Sequence, residues 1–379
     1  MEKTKLLIAA DTYYPKVDGV LMFMEEFIKR SENDFDIRLL VPKYSDKQKS
    51  KFTKTIFLDL SKRIKAFTYE PIAISRINRR KIKKEVKEAD IVFIQELGPV
   101  GFLTFRQAKK QKKKIIFYIH NTPWEFLSKH YKLNKYILQI VKKYFIRIYN
   151  KANLLLVPYN DFKTELQHLG IKAHMEVARL GVDIERFKPS DLKMRAKACL
   201  KLGDQKIIGY VGRISNEKNT LILLDAFKIL NHENLHLLIV GDGQKELVKK
   251  FKETKNCTVT GFVKDVEKYT QAMDIFVMPS LTETTSLATL EAMASGVPII
   301  STKLGFMKHY IVKNYNGLFF PRNSASMLAV QINKLLEDQE LRESMGRNAR
   351  KTVAYSFSWE RSINKIKRLL RIINPPKTN

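Results

Sequence analysis

The chain has 379 residues and 44% hydrophobic composition, enough for about two or three domains with a real core. Its 69 Lys and Arg against 39 Asp and Glu give a net charge of +30, which points to a polyanionic partner, membrane or nucleic acid, or else to a generally Lys-rich proteome. Two cysteines, Cys199 and Cys257, make no disulfide framework and no metal motif, no apolar run approaches a membrane span, and residues 6–10 are too short for a signal h-region. The expectation is a cytoplasmic protein, peripheral on the cytoplasmic face of a membrane.

Residues 6–10 read as a strand covered on both faces, ending in the loop Asp11-Thr12-Tyr13-Tyr14-Pro15. Gly19 permits close backbone approach where the next helix begins. That helix turns Met22, Phe23, Phe27 and Ile28 inward, and a strand at 37–41 closes a first β-α-β unit. Residues 44–69 are Lys-rich and weakly periodic, with a strand at 55–60. A helix over 75–86 follows, its Ile74, Ile77, Ile82 and Val86 forming one apolar side. It is read as a core-facing surface helix with a solvated basic face, the alternative being a helix lying on an anionic membrane. A strand at 91–94 ends in Gln95-Glu96-Leu97-Gly98, and a helix covers 102–110. The strand 115–119 ends at His120-Asn121-Thr122. Residues just past strand C-termini line the crevice of a parallel α/β sheet, so His120 is a candidate for function as much as for a structural hydrogen bond.

In the next helix Tyr136, Ile137, Ile140, Val141, Tyr144, Phe145 and Ile148 recur at helical spacing and are expected to face the core. Lys135, Lys142, Lys143 and Arg147 lie mostly outside that stripe. Residues 101–160 hold 13 Lys and Arg and a single acid, Glu125. After a strand at 153–158 and a helix at 161–169 the α/β rhythm breaks, which sets a boundary between domains 1–183 and 184–356.

The second half opens with a strand at 207–211 leading into Gly212-Arg213-Ile214-Ser215-Asn216-Glu217-Lys218-Asn219. Two fixed cations beside a helix start suit a diphosphate clamp. The plain alternative is surface charge, yet Lys gains nothing from the positive dipole end of a helix. Strands at 235–240, 258–263 and 275–278 lead to Pro279-Ser280-Leu281-Thr282-Glu283-Thr284-Thr285-Ser286-Leu287. A helix through Glu291 then ends at Ser295-Gly296, before a strand at 297–301. A helix start reached directly from a strand offers unpaired N–H groups to a phosphate. Glu283 and Glu291, separated by seven residues, can face the same crevice; the bland reading makes Glu291 a solvated helical glutamate. Helices at 324–337 and 339–354 finish this half, a basic helix follows Phe357-Ser358-Trp359-Glu360, and 377–379 form a frayed end.

Gly212-Arg213…Glu217-Lys218-Asn219, the spaced Glu283 and Glu291, Leu290-Glu291-Ala292-Met293-Ala294 and Gly296-Val297-Pro298 together resemble the retaining GT-B glycosyltransferases of family GT4. The resemblance runs over nearly the whole chain, down to Phe357-Ser358-Trp359-Glu360. It implies an α/β fold of two Rossmann-like doubly wound domains facing a central cleft. Residues 1–183 would bind the acceptor, 184–356 the nucleotide sugar, and 357–379 would form a C-terminal helix packing back on the N-terminal domain. By the same resemblance Arg213 and Lys218 hold the donor diphosphate, Glu291 binds the ribose hydroxyls, and Glu283 contacts the transferred sugar. The amides of Thr285, Ser286 and Leu287 meet phosphate and sugar, Phe262 and Val263 border the base, Gly19 lets its loop approach the donor, and His120 contacts the sugar at the reaction centre. The family retains anomeric configuration, with front-face attack and the leaving phosphate as base. The donor is a UDP-sugar or GDP-sugar, with no cofactor and no catalytic metal.

Two departures stand out. The family's usual Gly-Phe-Gly after the first glutamate is Thr284-Thr285-Ser286 here, and its Gly-Gly in the first domain is Asp18-Gly19. The pattern from Asp11 to Val20 resembles the branch that glycosylates diacylglycerol-type lipids or phosphatidylinositol. With the basic N-terminal domain this implies a lipid acceptor and an anionic membrane surface as partner. The alternative is a soluble or polyprenyl-linked saccharide acceptor in polysaccharide or cell-envelope assembly. A nucleic-acid-binding protein is the remote alternative. Helix-turn-helix, RRM and zinc patterns are missing, and aromatics are not interleaved with the basic runs.

Overall fold

The computed structural model describes residues 3–45, 48, 51–52, 54–61, 70–120, 122–130, 134–190, 193–230, 232–283 and 285–375. The chain divides into two compact units, Met1–Arg179 with Glu360–Asn379, and Leu180–Trp359. In the first unit the elements run β1 (Thr4–Ala9), α1 (Gly19–Ser31), β2 (Phe35–Lys43), β3 (Thr55–Asp59), α2 (Arg76–Glu88), β4 (Ile91–Ile94), α3 (Pro99–Lys110), β5 (Lys114–Tyr118), α4 (Pro123–His130), α5 (Lys135–Tyr149), β6 (Leu154–Val157), α6 (Asn160–His168) and β7 (Met175–Val177). The strands form one parallel sheet in the order β3-β2-β1-β4-β5-β6-β7. Every residue of β4 and β6 is buried, because crossover helices cover both faces of such a sheet. The direction of the strand order reverses between β1 and β4, where an open α/β sheet places its ligand crevice.

Right-handed crossovers put α2, α3, α5 and α6 on one face of this sheet. Their inward residues, among them Ile82, Val86, Phe105, Ile148, Tyr149 and Leu166, share one core cluster.

The helix α5 departs from the sequence reading. Leu138, Phe145 and Ile146 pack partly against the core, and Ile148 and Tyr149 are buried. Tyr136, Ile137, Ile140 and Tyr144, expected inside, are 79, 50, 69 and 48% exposed. The apolar repeat is wider than one helix face, so only part of it can turn inward. The short helix α4, which the sequence reading lacked, packs against α5 and buries Trp124 in the core. Lys142 of α5 lies 5.9 Å above the Trp124 ring. On α2 the expected apolar side also splits: Ile82 and Val86 are buried, while Ile74 and Ile77 are 66 and 59% exposed.

The second unit holds α7 (Lys193–Cys199), β8 (Lys206–Val211), α8 (Thr220–Leu230), β9 (Leu235–Val240), α9 (Lys245–Lys252), β10 (Cys257–Val259), α10 (Val266–Ala272), β11 (Ile275–Met278), α11 (Leu287–Ala294), β12 (Ile299–Ser301), α12 (Met307–Tyr310), β13 (Gly317–Phe319), α13 (Ala325–Glu337) and α14 (Gln339–Ser356). Its parallel sheet has the order β10-β9-β8-β11-β12-β13, reversing between β8 and β11. The last helix, α15 (Trp359–Ile373), lies almost wholly in the first unit. There Ile363, Ile366 and Leu370 are buried, Lys367 Nζ reaches Asp34 at 2.6 Å, and Arg371 pairs with the same carboxylate.

Two devices fix the elements around the β8–β11 reversal. The helix α11 stops at Gly296, whose φ of +75° is the left-handed value that suits glycine past a helix end. A Cβ on Gly346 of α14 would come within 2.2 Å of the Gly296 oxygen, so the backbones meet there with no side chain between. The second device is a buried ion pair. Lys197 Nζ donates to Asp274 Oδ2 at 2.7 Å and to the Gln205 carbonyl at 2.8 Å, and the Ile207 N–H donates to the same Asp274 oxygen at 2.8 Å. It ties α7 to the starts of β8 and β11. Removing one member leaves the other charge buried without its partner. Asp274→Ala is therefore expected to destabilise the second unit by about 3–5 kcal/mol in chemical denaturation, while Lys197→Met combined with Asp274→Leu recovers most of that loss.

Candidate functional site

The loops after β8 and β11 leave neighbouring strands at the reversal point and are tied to each other. The Leu281 N–H donates to the Glu217 carbonyl at 3.0 Å, and Thr282 Oγ1 donates to Glu217 Oε1 at 2.8 Å. Lys218 Nζ lies 2.5 Å from Glu283 Oε1, with the two side chains 25 and 11% exposed. Ser280, buried at the end of β11, points its hydroxyl at the same Glu283 oxygen at 3.3 Å. Sequence spacing thus translates into a direct Lys218–Glu283 contact. Arg213, at the mouth of the β8 loop, is exposed and forms no ion pair among the described residues. Its carbonyl accepts the buried Tyr210 hydroxyl at 2.9 Å, which fixes the loop backbone and leaves the guanidinium outward.

The chain then turns into α11 through Thr285 and Ser286; Thr284 lies outside the described residues. Ser286 has φ +55°, a left-handed value uncommon for a residue with a side chain, and its hydroxyl caps α11 by accepting the Thr289 N–H. Thr285 is buried, its carbonyl accepts the Tyr310 hydroxyl at 2.5 Å, and its own Oγ1 has no partner. The first-turn N–H groups of α11, Leu287 among them, have no intrahelical acceptors. The cap is neutral, so the helix start keeps its positive end for an anion.

Glu291 lies one turn further into α11, in a different electrostatic setting from Glu283. Burial pushes its carboxyl up to about 7; Arg186 opposes that shift and Glu267 adds to it. Arg186 donates from Nε and Nη2 to Glu267 at 2.9 and 2.8 Å and from Nη2 to the Lys264 carbonyl at 2.7 Å. That holds the 262–267 loop, where Phe262 is 68% exposed and Val263 half-buried. Sequence reading passed over Arg186. Its position in the boundary segment gave no signal, because its partners are 78 and 81 residues away.

In the first unit, Gly19 is the exposed first residue of α1, and Asp18 caps that helix by accepting the Val20 and Leu21 N–H groups, both at 3.0 Å. Asp11 does the same for α3, accepting from Val100 at 2.7 Å and Gly101 at 3.2 Å. Burial raises the Asp11 carboxyl to about 6 in spite of those bonds, and the half-buried Glu96 is held well above the ordinary carboxylate range by desolvation and then by the Asp11 and Asp18 charges. His120 follows β5. Its ring stacks on Tyr118 with centroids 4.1 Å apart, and Nε2 lies 3.2 Å from Gln95 Oε1. Burial lowers its pKa to about 3, so the imidazole is neutral. Gln95, Asp11 and Glu96 were missed as site residues although each stands directly past a strand. The strand-end rule that found His120 selects them too. Among the described residues no group of three or more His, Cys, Asp or Glu is placed to hold a metal ion. No described helix is long and apolar enough to cross a membrane.

Paired loops at a strand-order reversal, with cations beside a neutrally capped helix start, stand where a parallel α/β sheet opens its ligand crevice. The chain belongs to the group 1, family 4 glycosyltransferases: the model for glycosyl transferases group 1 matches residues 195–352, and that for glycosyltransferase family 4 matches residues 17–186. The capsular polysaccharide biosynthesis glycosyltransferase CapM of Staphylococcus aureus is 30% identical over 192 residues, 48% of this chain and 50% of that protein. This chain therefore matches only half the length of CapM. The alpha-monoglucosyldiacylglycerol synthase of Acholeplasma laidlawii is 26% identical over 293 residues, 72% of this chain and 73% of that protein. Among solved structures, Anabaena HepE in complex with UDP shares the two-domain GT-B fold, with a TM-score of 0.78 at 17% identity over 97% of this chain and all of that one.

A carboxyl whose folded pKa is raised stabilises the fold below its ordinary pKa, and that contribution is lost as pH rises through the folded value. For Glu291 the loss falls between 4.5 and about 7. The protein should therefore lose stability as pH rises from 4.5 to about 7. Glu291→Gln should flatten that slope, as read by thermal melts across that range.

Proposed function

We propose that the protein is a retaining hexosyltransferase that moves a hexose from a nucleotide diphosphate sugar to a membrane lipid, making a glycolipid. The observation that carries the donor half is the Lys218–Glu283 contact beside the neutral start of α11, with the unpaired Arg213 at the same loop pair. Cations and amides at that point suit a diphosphate, and Glu291 suits a ribose. The UDP bound by HepE, a protein of like fold, supports a uridine donor. The glucosylated diacylglycerol in the name of the Acholeplasma synthase supports a lipid acceptor. CapM supports the second reading, a saccharide acceptor in polysaccharide assembly.

In the proposed reaction the bond from the anomeric carbon to the diphosphate breaks, and Arg213 and Lys218 stabilise the negative charge that develops on the leaving oxygen. The acceptor hydroxyl attacks from the same face, and its proton passes to that departing oxygen, so configuration is kept and no metal is needed to balance the step. Lys218 is engaged with Glu283. An arriving diphosphate competes for the ammonium and frees Glu283 to face the sugar and support its cationic transition state. His120, neutral and held by Gln95, is assigned to contact with the sugar, a role that rests on its place past β5. The acceptor would be met at the cytoplasmic face of a membrane.

Donor screening by thermal shift tests the first half. A ligand that binds only the native state at about a hundred times its Kd adds about 2.7 kcal/mol, so one class of nucleotide sugar should raise the melting temperature by several degrees. No shift with either UDP- or GDP-sugars would overturn the reading. Lys218→Ala and Glu283→Ala should each lower transfer roughly 10²–10³-fold with the fold intact. Full activity in either variant removes these residues from the site. The anomeric configuration of the product, read by NMR, checks retention.

A further inference from the structure

The outer helical layer of the first unit carries a surface that glycosyl transfer does not use. Between α3 and α5 runs a groove of about 420 Å³. Its floor is apolar, built from Phe102, Phe105, Tyr144 and Ile148, with the Phe102 and Tyr144 rings 6.1 Å apart. Its rim is Arg106, Lys109, Lys110, Arg147 and Lys151, and no acid lines it. None of these five cations forms an ion pair among the described residues. The Arg106 guanidinium lies over the Phe102 ring, 5.8 Å from its centre, which orients the group and leaves its N–H donors for a ligand.

Apolar side chains continue this surface on both sides. Along α5, Tyr136, Ile137 and Ile140 are 79, 50 and 69% exposed. Beyond α3, the neighbouring α2 has seven Lys and Arg against two acids and presents Ile77, 59% exposed. The helices α3 and α5 contain no acid at all.

Charge and apolarity together select the occupant. Five unpaired cations in one groove repel each other, and an anion relieves that repulsion. A soluble polyanion such as a nucleic acid would meet the cations but leave Ile137 and Ile140 in water. A second copy of this chain docking through the same face would set five cations against five. A phospholipid surface offers phosphate beside hydrocarbon. We propose that the groove between α3 and α5 seats the phosphate headgroup of an anionic bilayer lipid, with Tyr136, Ile137 and Ile140 entering the interface beside it. The proposal rests on the reading of a membrane lipid as acceptor and names the surface by which the enzyme reaches the membrane.

Vesicle sedimentation of the full-length protein tests it, with phosphatidylcholine alone and with equal parts phosphatidylcholine and phosphatidylglycerol. The protein should sediment with the anionic vesicles and stay in solution with the neutral ones. Removing three groove charges in Arg106→Gln, Lys110→Gln, Arg147→Gln should weaken partition roughly a hundredfold, at about fivefold per charge. Ile137→Ser with Ile140→Ser should weaken it roughly tenfold or more, and should do so at high salt as well as low. Both variants should keep the melting temperature and the donor thermal shift, since the altered side chains are exposed and outside the donor site. Equal binding to neutral vesicles, partition unchanged in both variants, or tighter binding to a DNA duplex than to anionic vesicles would each overturn it. So would a dimer that dissociates in Ile137→Ser with Ile140→Ser while the wild type ignores vesicles. If vesicle binding fails while the donor shift and transfer to detergent-dispersed lipid persist, the docking surface falls and the transferase reading stands. If vesicles bind and no nucleotide sugar does, the reverse holds.

Discussion

One ion pair, between Lys218 and Glu283, joins two loops that leave adjacent strands at the point where the second sheet reverses its order. The rest of the candidate site is positioned from that contact. Glu217 reinforces it by taking both the Leu281 N–H and the Thr282 hydroxyl, which tie the β8 and β11 loops together at two more points. Behind the pair, Thr302 Oγ1 donates to the Ser280 carbonyl at 2.7 Å and Tyr310 holds Thr285. Those bonds pin the turn that leads into α11. Its left-handed Ser286 is a strained element fixed from both sides by structure that does not itself meet a ligand.

Much of this was legible in the sequence because the rules that apply are local. Continuous apolar runs gave the strands, and residues just past them gave His120, Arg213, Lys218 and Glu283. Contacts between distant positions were not legible. Asp11 caps a helix 89 residues further on, and Arg186 reaches Glu267 across 81 residues. Neither pairing leaves a trace in spacing or periodicity. The helix α5 failed for another reason. A stripe repeating at i, i+1, i+4 and i+5 shows that a helix is amphipathic, but it does not tell which part of a wide stripe meets the sheet. The helix α4, with Trp124 in the core, packs against α5, and α4 carried no periodic signal of its own. The residues at Thr284 and Asn121 lie outside the described structure, as do 377–379, so the sugar-facing substitution at Thr284 and the frayed end stay as sequence expectations.

Of the net charge of +30, +12 sits in one helical layer. A Lys-rich proteome would scatter cations over every surface. Here α2, α3 and α5, packed side by side on one face of one sheet, carry fourteen Lys and Arg against two acids. On α2, Lys81 pairs with Asp59 and both acids, Glu85 and Glu88, pair with Arg38, so the acids of this layer are already taken. Charge and exposed apolar side chains coincide in this layer, a combination that a soluble surface gains nothing by keeping.

The two sheets pose a problem of discrimination, since each is parallel and each has a reversal point with a helix starting beside it. A diphosphate drawn only by helix dipoles would sample both, and half its encounters would be wasted. Asp11 and Asp18 set the two sheets apart. Each places a carboxylate on the N–H groups that a phosphate would need, so α3 and α1 are already occupied by anions of their own. In the second unit the corresponding cap is the neutral Ser286. Two carboxylates in one half and a serine in the other thus give two sheets of like architecture helix starts of opposite electrostatic character, one filled by the chain's own anions and one capped without charge.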